Sequence, residues 1–182
     1  AALRRAGANP VGLTGADTGV ATVRRAAPVA STTGKMVDLG LVGSPMNSGA
    51  PRLLTDLLAR GYVPVVACLG ATRAGQVLNV NADTLAAHLA GQLGARRLVI
   101  AGGTAGVLDA SGDTIERLTS REAARLIRAG TANRGMVAKL EACRSALRKG
   151  VGDVVIANGR DACLETLTGA RTMLSGSTQV VT

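Results

Sequence analysis

Continuous apolar runs alternate along this chain with segments whose apolar residues recur at helical spacing. The apolar runs are residues 62–69, 98–101 and 153–157, and the helical patterns are residues 82–94, 119–129 and 137–149. A short apolar run without polar alternation is typical of a strand buried on both faces, as in parallel sheets. Strands of that kind need helices to cover their two faces. The alternation therefore predicts an α/β fold around an open, mainly parallel sheet.

The composition restricts what can fill the core of such a fold. Hydrophobic residues make up 47% of the 182 positions, yet Tyr62 is the only aromatic residue. The core is therefore predicted to consist of leucine, valine, isoleucine and alanine. The length suits one domain with a sizeable core, which we expect to span residues 1–182.

The chain carries a net charge of +9, with 18 arginines among its 21 basic residues. No basic run exceeds two residues, and no set of aromatic side chains is present on which bases could stack. We therefore interpret the charge as solvated helix faces and expect no nucleic-acid partner. An anionic small-molecule substrate is compatible with this charge.

The cysteines and the hydropathy pattern indicate where such a chain resides. Cys68, Cys143 and Cys163 have neither metal-ligand spacing nor the even count of a disulfide framework, which favours a reducing cytoplasm. Cys68 is expected to pack as a small buried residue. The sequence contains no apolar run long enough to span a membrane and no recognisable signal peptide. We predict a cytoplasmic protein without a membrane partner and without a metal-ligating cluster.

The remaining elements follow from turn and cap signals. Short strands are predicted at residues 10–13, 20–24 and 36–42, with an exposed excursion at 26–34. A helix is expected to start at residues 47–51 and to end at Gly61. Thr119 and Glu122 form a capping-box pattern that starts the helix reaching Ala129. The last elements are expected to be a short helix around Leu164 and a strand near Val180.

The first candidate site is the stretch Asn79-Val80-Asn81-Ala82-Asp83, which opens a helical pattern. In an extended stretch, Asn79, Asn81 and Asp83 would point the same way, and two amides with a carboxylate suit a polar ligand. Ligands of open α/β sheets bind beyond the carboxyl ends of the strands. The alternative is that these residues only cap the helix, as asparagine and aspartate commonly do.

The second candidate is the glycine-rich stretch 101–106, Ala-Gly-Gly-Thr-Ala-Gly, directly after a predicted strand. Glycines there would allow a backbone to approach a phosphate or a nucleotide. The stretch has neither the Gly-Lys-Ser/Thr of a P-loop nor a dinucleotide fingerprint. A simple turn remains the alternative.

The third candidate is Lys139, in the stretch Gly135-Met136-Val137-Ala138-Lys139. We expect this lysine in the first turn of a helix, where the helix dipole favours anions and disfavours cations. An anion shared by the lysine and the backbone N–H groups would explain the placement. Phosphoryl transfer needs positive charge on the transferred group, and Asp83 could orient a lysine or hold Mg²⁺ through water. His88, in contrast, is expected to be a packed or exposed helix residue and not a catalyst.

These stretches, in this order, resemble the amino acid kinase family. The motifs that carry the resemblance are N-V-N-A-D-T, G-A-R-R-L-V-I-A-G-G-T-A-G-V-L-D and G-T-A-N-R-G-M-V-A-K. V-G-L-T-G-A-D, D-L-G-L-V-G and Y-V-P-V-V support them. The resemblance covers nearly the whole chain. It implies a three-layer α/β/α sandwich around an open, mainly parallel sheet.

The resemblance also implies an activity, which is the transfer of the γ-phosphoryl group of ATP, with Mg²⁺, to the side-chain carboxylate of N-acetyl-L-glutamate in arginine biosynthesis. Asn79 would bind the acetylglutamate, Asp83 would organise the catalytic lysines, and Lys139 would stabilise charge on the phosphoryl group. The implied nucleotide-binding residues are Gly103, Thr104, Ala105, Gly106, Val107, Leu108, Thr131, Ala132 and Asn133. A homodimer is expected by the same resemblance.

The chain departs from the family pattern in two respects. The family usually has aspartate or asparagine where this chain has Gly103. The family also begins with a strand that carries a second catalytic lysine and a glycine-rich loop, which this sequence does not show. We therefore expect the chain to correspond to the C-terminal two-thirds of the family's length, with the N-terminal strands missing, and to be nearly inactive alone.

Two other functions remain open from the sequence. One is a sister kinase that acts on carrier-bound aminoadipate or glutamate. In the family, a loop with a substrate-binding arginine would distinguish the two kinases, and this sequence does not show that loop. The other is a non-catalytic module that binds nucleotide or another subunit without turnover. Arginine feedback inhibition cannot be inferred from these residues.

Overall fold

The computed structural model describes residues 1–31, 33–47, 51–130, 132, 134–160 and 170–176. These residues form two compact units, Ala1–Leu85 and Ala86–Thr182. The predicted helix around Leu164 and the predicted strand near Val180 lie outside the described residues. The single-domain organisation stays a prediction.

The first unit is built from short strands and two helices. Its elements are α1 (Ala2–Arg5), β1 (Pro10–Thr14), a 3₁₀ turn (Asp17–Gly19), β2 (Val23–Arg25), β3 (Val29–Ala30), β4 (Met36–Val37), β5 (Gly43–Pro45), α2 (Arg52–Ala59), β6 (Val63–Ala67), β7 (Leu69–Ala71), β8 (Val77–Asn79) and the start of α3 (Ala82–Gln92). β1 and β6 pair in parallel, whereas β2 pairs with β5, β3 with β4 and β7 with β8 in antiparallel fashion.

Strand β6 differs from the expectation of a strand buried on both faces. Val63 and Val65 are 40% and 46% exposed, while the intervening Pro64 and Val66 are half-buried. The strand is part of a two-stranded sheet with β1, and α2 contacts it. The prediction of complete burial was therefore wrong, and so was the burial predicted for the half-buried Cys68 that follows the strand.

The predicted strand at residues 36–42 is divided in the structure. β4 ends at Val37 and β5 begins at Gly43. Between them, Asp38 accepts a hydrogen bond from the backbone N–H of Gly40 at 2.8 Å, and Gly40 has a φ of +71°. A carboxylate that bonds the backbone two residues on forms a local turn, which interrupts the strand.

The second unit contains a four-stranded sheet and the helices around it. Its elements after α3 are β9 (Arg97–Gly102), β10 (Arg117–Thr119), α4 (Ser120–Ala129), α5 (Arg134–Arg148), β11 (Asp153–Asn158) and β12 (Arg171–Ser175). The strand order is β10-β12-β11-β9. β9 runs parallel to β11 and β10 parallel to β12, while β11 and β12 are antiparallel.

The core of the second unit is aliphatic, as the composition predicts. Val154, Val155, Ile156 and Ala157 of the central strand β11 are all buried. The surrounding buried residues are also aliphatic or small, among them Leu140, Cys143, Ala146 and Leu174. A strand buried along its length on both faces matches the apolar run at 153–157, so this part of the α/β prediction is confirmed.

The capping box predicted at the start of α4 is present. The backbone N–H of Glu122 donates to the Thr119 hydroxyl at 3.2 Å, and the backbone N–H of Thr119 donates to the Glu122 carboxylate at 2.8 Å. The bond from Thr119 lowers the pKa of the Glu122 carboxyl. Gly130 ends the helix with a left-handed φ of +69°, a conformation that suits glycine.

Helix α5 begins at Arg134, earlier than the residue at which the sequence pattern begins. Lys139 is therefore the sixth helical residue and lies in the second turn. The expectation of a first-turn lysine was wrong, because Asn133, a residue type favoured directly before a helix, was not recognised as a start signal in the sequence. None of the helices within the described ranges combines the length and hydropathy needed to cross a bilayer.

Candidate active site

The site is built around the carboxyl ends of two parallel strands. β9 ends at Gly102 and β11 ends at Asn158, and these two residues are partners in the sheet register. The N–H of Gly159 donates to the carbonyl of Gly102 at 2.9 Å, which continues the pairing into the following loop. The loops after both strands therefore leave the sheet side by side, at the edge where open α/β sheets bind ligands.

Lys139 reaches this edge from helix α5. A Cβ atom placed on Gly102 would lie 3.3 Å from Lys139 Cε and 3.8 Å from its Nζ. The half-buried lysine therefore extends across the end of β9, and its ammonium group lies directly over the Gly102 backbone. Glycine at 102 leaves room for this path. The position of Lys139 is thus explained by its reach to the sheet edge, and not by the first helical turn.

A cavity of about 230 Å³ lies in the same unit. Its walls come from the loop after β9, from α4 and from the start of α5, and the residues are Thr104, Gly106, Val107, Leu108, Asp109, Leu126, Ala132 and Met136. Most of these side chains are aliphatic, with one hydroxyl and one carboxylate. An apolar slot with a few polar groups is the usual form of a small-molecule site.

The structure places the sequence-predicted nucleotide residues as follows. Thr104, Gly106, Val107, Leu108 and Ala132 line the cavity, whereas Ala105 and Gly103 do not. Gly103 is exposed, and a Cβ placed on it would have no atom within 4 Å. A side chain of the usual family type would therefore fit at position 103 without displacing a neighbour. Thr131 and Asn133 lie outside the described residues.

Three cavity residues were not predicted from the sequence: Asp109, Leu126 and Met136. Asp109 ends the loop and fixes a tight turn, because its Oδ1 accepts hydrogen bonds from the N–H groups of Ser111 at 2.8 Å and Asp113 at 3.0 Å. The D-A-S-G-D turn was recognised in the sequence, but its link to the cavity was not. Leu126 and Met136 lie on α4 and α5, and only the folding of both helices brings them to the loop.

Asn79, Asn81 and Asp83 belong to the first unit. Asn79 is the exposed last residue of β8, and its N–H donates to the carbonyl of Leu41 at 2.9 Å. Asn81 acts as a helix cap, since its Oδ1 accepts from the N–H of Thr84 at 3.0 Å. Asp83 lies half-buried in the first turn of α3. The extended stretch ends before α3, so the alternation predicted for Asn79, Asn81 and Asp83 does not continue to Asp83.

His88 is a packed helix residue, as expected. Its side chain is 1% exposed, and its Nδ1 lies 3.1 Å from Lys149 Nζ. Burial of the ring and the charge of Lys149 lower the pKa of His88 to about 4, so the ring is neutral near pH 7. A neutral ring whose Nδ1 accepts from the ammonium group is a structural contact in the core of the second unit.

Magnesium has no cage of protein ligands in the part of the chain that the structure describes. No three histidine, cysteine or acidic residues come together there. Mg²⁺ usually keeps several waters and is held by substrate phosphates with one or two carboxylates. The described residues are therefore compatible with Mg²⁺ that arrives bound to a nucleotide.

An α/β unit with an apolar cavity and a lysine at the carboxyl edge of its sheet has the features of a nucleotide-using protein. The model of the amino acid kinase family matches residues 1–158, which is most of the chain. The chain therefore belongs to the amino acid kinase family, and the resemblance seen in the sequence is confirmed.

Individual relatives agree with this assignment. The chain is 41% identical over 182 residues to an acetylglutamate kinase of Gluconacetobacter diazotrophicus, a match that covers 96% of this chain and 58% of that protein. It is 47% identical over 155 residues to an acetylglutamate kinase of Anaeromyxobacter dehalogenans, covering 82% and 57% respectively. The solved structure of smu.665 from Streptococcus mutans superposes with a TM-score of 0.79 at 27% identity, covering 97% of this chain and 64% of that one.

The matched region is only a part of each curated relative. The chain spans between 51% and 58% of the lengths of the curated acetylglutamate kinases that it matches. The structural match nevertheless extends over nearly all of this chain. The α/β fold expected from the sequence is confirmed as that of the amino acid kinases.

Proposed function

We propose that this chain is the nucleotide-binding part of an acetylglutamate kinase. The reaction would transfer the γ-phosphoryl group of ATP to the side-chain carboxylate of N-acetyl-L-glutamate, which gives an acyl phosphate and ADP in arginine biosynthesis. The proposal is supported mainly by the position of the Lys139 ammonium group at the end of β9. The aliphatic cavity lies in the same unit. The names of the relatives favour N-acetylglutamate over a carrier-bound acceptor.

The cavity would hold the adenine and ribose. Val107, Leu108, Leu126 and Met136 offer aliphatic contacts for a flat ring, and Thr104 and Asp109 offer polar atoms at the cavity wall. Burial of apolar surface supplies most of the affinity in such a slot, while the polar groups fix the orientation.

Lys139 would act on the phosphates. The γ-phosphoryl group gains negative charge on its outer oxygens as it passes between donor and acceptor, and an ammonium group held in place stabilises that charge. Its stem crosses Gly102, so the charge is positioned before the nucleotide arrives. Mg²⁺ would supply further positive charge on the nucleotide phosphates.

The first unit would supply the acceptor side. Asn79 at the exposed end of β8 would donate to the acetylglutamate, and Asp83 in the first turn of α3 would orient the catalytic lysines. These two roles, a homodimeric state and a cytoplasmic location remain predictions.

Ligand binding tests both halves of the proposal. Calorimetry should show one MgADP bound per chain, and chemical shifts in the presence of N-acetyl-L-glutamate should move at Asn79. Asn9 is a control, because it is an asparagine far along the sequence from any residue of the proposed site. A folded sample that binds no MgADP would overturn the nucleotide assignment. Shifts absent at Asn79, with nucleotide bound, would overturn only the acceptor assignment.

A chimaera tests turnover. This chain can be joined to the part of the Gluconacetobacter diazotrophicus protein that lies outside the matched region. Acyl phosphate formed from MgATP and N-acetyl-L-glutamate can be trapped with hydroxylamine. We expect product with N-acetyl-L-glutamate and none with free L-glutamate as the acceptor. A chimaera that binds MgATP without forming product would favour a non-catalytic module.

A further inference from the structure

The loop that lines the cavity is attached to strand β12 by one buried hydroxyl group. The N–H of Val107 donates to Thr172 Oγ1 at 2.8 Å, although the two residues are 65 positions apart. Thr172 is 0% exposed, and among the described residues only His88 is another buried polar side chain. A hydroxyl in an aliphatic core is unfavourable unless it is hydrogen-bonded, so this bond accounts for a polar residue at position 172.

The loop packs closely against β12 at Gly106, where no room remains for a side chain. A Cβ placed on Gly106 would lie 2.5 Å from Thr172 Oγ1 and 3.0 Å from the Thr172 backbone nitrogen. The Cγ2 atom of Thr114 would lie 2.9 Å from it on another side. The Thr172 nitrogen belongs to the backbone of β12, so rotation of a side chain cannot move it away. The loop therefore rests on β12 at Gly106, which lacks a side chain.

The other side of Val107 is fixed as well. Its carbonyl accepts a hydrogen bond from the N–H of Ile115 at 2.8 Å, and Leu108 forms an isolated bridge with Thr114. The carbonyl is thus held by a neighbouring segment of the same loop, while the N–H is held by Thr172. The orientation of the Gly106–Val107 peptide consequently depends on a strand that the loop does not belong to.

We infer that Thr172 is the positioning residue of the nucleotide-binding loop, and that its hydroxyl sets the cavity wall formed by Gly106, Val107 and Leu108. This inference rests on the proposed nucleotide site. Thr172 does not line the cavity, so it acts through Val107 and not by contact with the ligand. Threonine supplies a hydrogen-bond acceptor for the buried N–H of Val107, which valine of the same shape lacks.

The test compares Thr172→Val with Thr172→Ser. Valine keeps the shape and removes the acceptor, whereas serine keeps the hydroxyl and removes a methyl group. We expect Thr172→Val to weaken MgADP binding at least tenfold and to speed amide exchange at Val107 at least a hundredfold. We expect Thr172→Ser to bind MgADP within about threefold of the unsubstituted chain, with Val107 still protected.

Val154→Ala is the control for a general loss of stability. Val154 is buried on β11 in the same sheet, opposite Leu174, and does not line the cavity. It should lower the melting temperature without changing MgADP affinity or the exchange of Val107. Equal losses of affinity in Val154→Ala and Thr172→Val would overturn the inference, because they would show that stability alone controls binding.

The amide exchange separates this inference from the proposed function. If the unsubstituted chain binds no MgADP, the proposed function fails, yet exchange at Val107 still reports whether Thr172 holds the loop. Unchanged exchange in Thr172→Val would overturn the inference whatever the affinity. Faster exchange with unchanged MgADP affinity would overturn the link to the nucleotide.

Gly106→Ala serves as a second route if Thr172→Val does not fold. Its Cβ would collide with the Thr172 hydroxyl and push the loop away from β12. We expect the same two effects, faster exchange at Val107 and MgADP binding weakened at least tenfold. Slow exchange with full affinity in this variant would contradict the inference.

Discussion

The proposed role of Lys139 depends on where the fold places its ammonium group. Its charge is recognisable in the sequence as one of only three lysines, but its position over Gly102 follows from the packing of α5 on the sheet. The sequence pattern placed Lys139 in the first turn of a helix, whereas helix α5 begins at Arg134 and Lys139 lies in its second turn. A dipole argument depends on the first residue of a helix, and element boundaries are what sequence patterns define least well.

The Lys139→Ala variant of the chimaera should turn over at least tenfold more slowly, with its fold intact. Loss of one electrostatic contact to the transferring group typically costs about a hundredfold to a thousandfold in rate, so tenfold is a lower bound. The matched control is Lys35→Ala, which removes the same charge from an exposed residue of the β3–β4 hairpin. Equal rates for the two variants in the hydroxylamine assay would show that Lys139 is an ordinary surface lysine.

His88 should make the chain less stable in weak acid. The unfolded ring has a pKa near 6.5 and the folded ring about 4. As the pH falls below 6.5, the unfolded state therefore takes up a proton that the folded state does not. Full stability is present above pH 6.5, and about 2 kcal/mol is lost on going from pH 7.5 to pH 5 through this group.

The His88→Gln variant isolates this effect, since glutamine does not titrate. Urea unfolding at pH 7.5 and pH 5 should show a smaller drop in the free energy of unfolding for the variant, by about 2 kcal/mol. The two proteins share every other titrating group, so each serves as the reference for the other. An identical drop in both would mean that His88 does not remain neutral in the fold.

At the scale of elements, helices α3 and α4 could be predicted because their signals are local. A capping box places its two partners three residues apart, and the T-x-x-E of Thr119 and Glu122 was found in the structure as expected. Strands β8, β10 and β12 were not foreseen, as each has five residues or fewer. β8 pairs with the nearby β7, whereas β10 pairs with β12, so that Arg117 lies opposite Met173. The pairing of β10 with β12 depends on the fold as a whole, which a local pattern does not contain.

The cap of α4 should be measurable as stability. Thr119→Ala removes the acceptor for the N–H of Glu122 and should lower the free energy of unfolding by about 1 kcal/mol. Ser120→Ala, at the next position, is the control and should change stability by less than about 0.5 kcal/mol. Equal effects of the two substitutions in chemical denaturation would show that the cap adds nothing.

At the scale of the whole molecule, the α/β class followed from the alternation of strands and helices, and the central strand β11 is as buried as its apolar run predicts. β6 carries a similar run but is half-exposed in a two-stranded sheet. An apolar run shows that a strand can be buried, and only its neighbours in the fold decide whether it is. The same limit applies to the cavity, because the sequence did not predict that Asp109, Leu126 and Met136 would line it together.

A calorimetric titration of this chain with MgADP shows whether the second unit binds a nucleotide. Ala132→Leu is the paired variant, because it adds bulk to a half-buried residue of the cavity wall. We expect one MgADP per chain, with affinity reduced at least tenfold in the variant. A folded chain that takes up no MgADP, or an affinity that the variant leaves unchanged, would contradict this expectation.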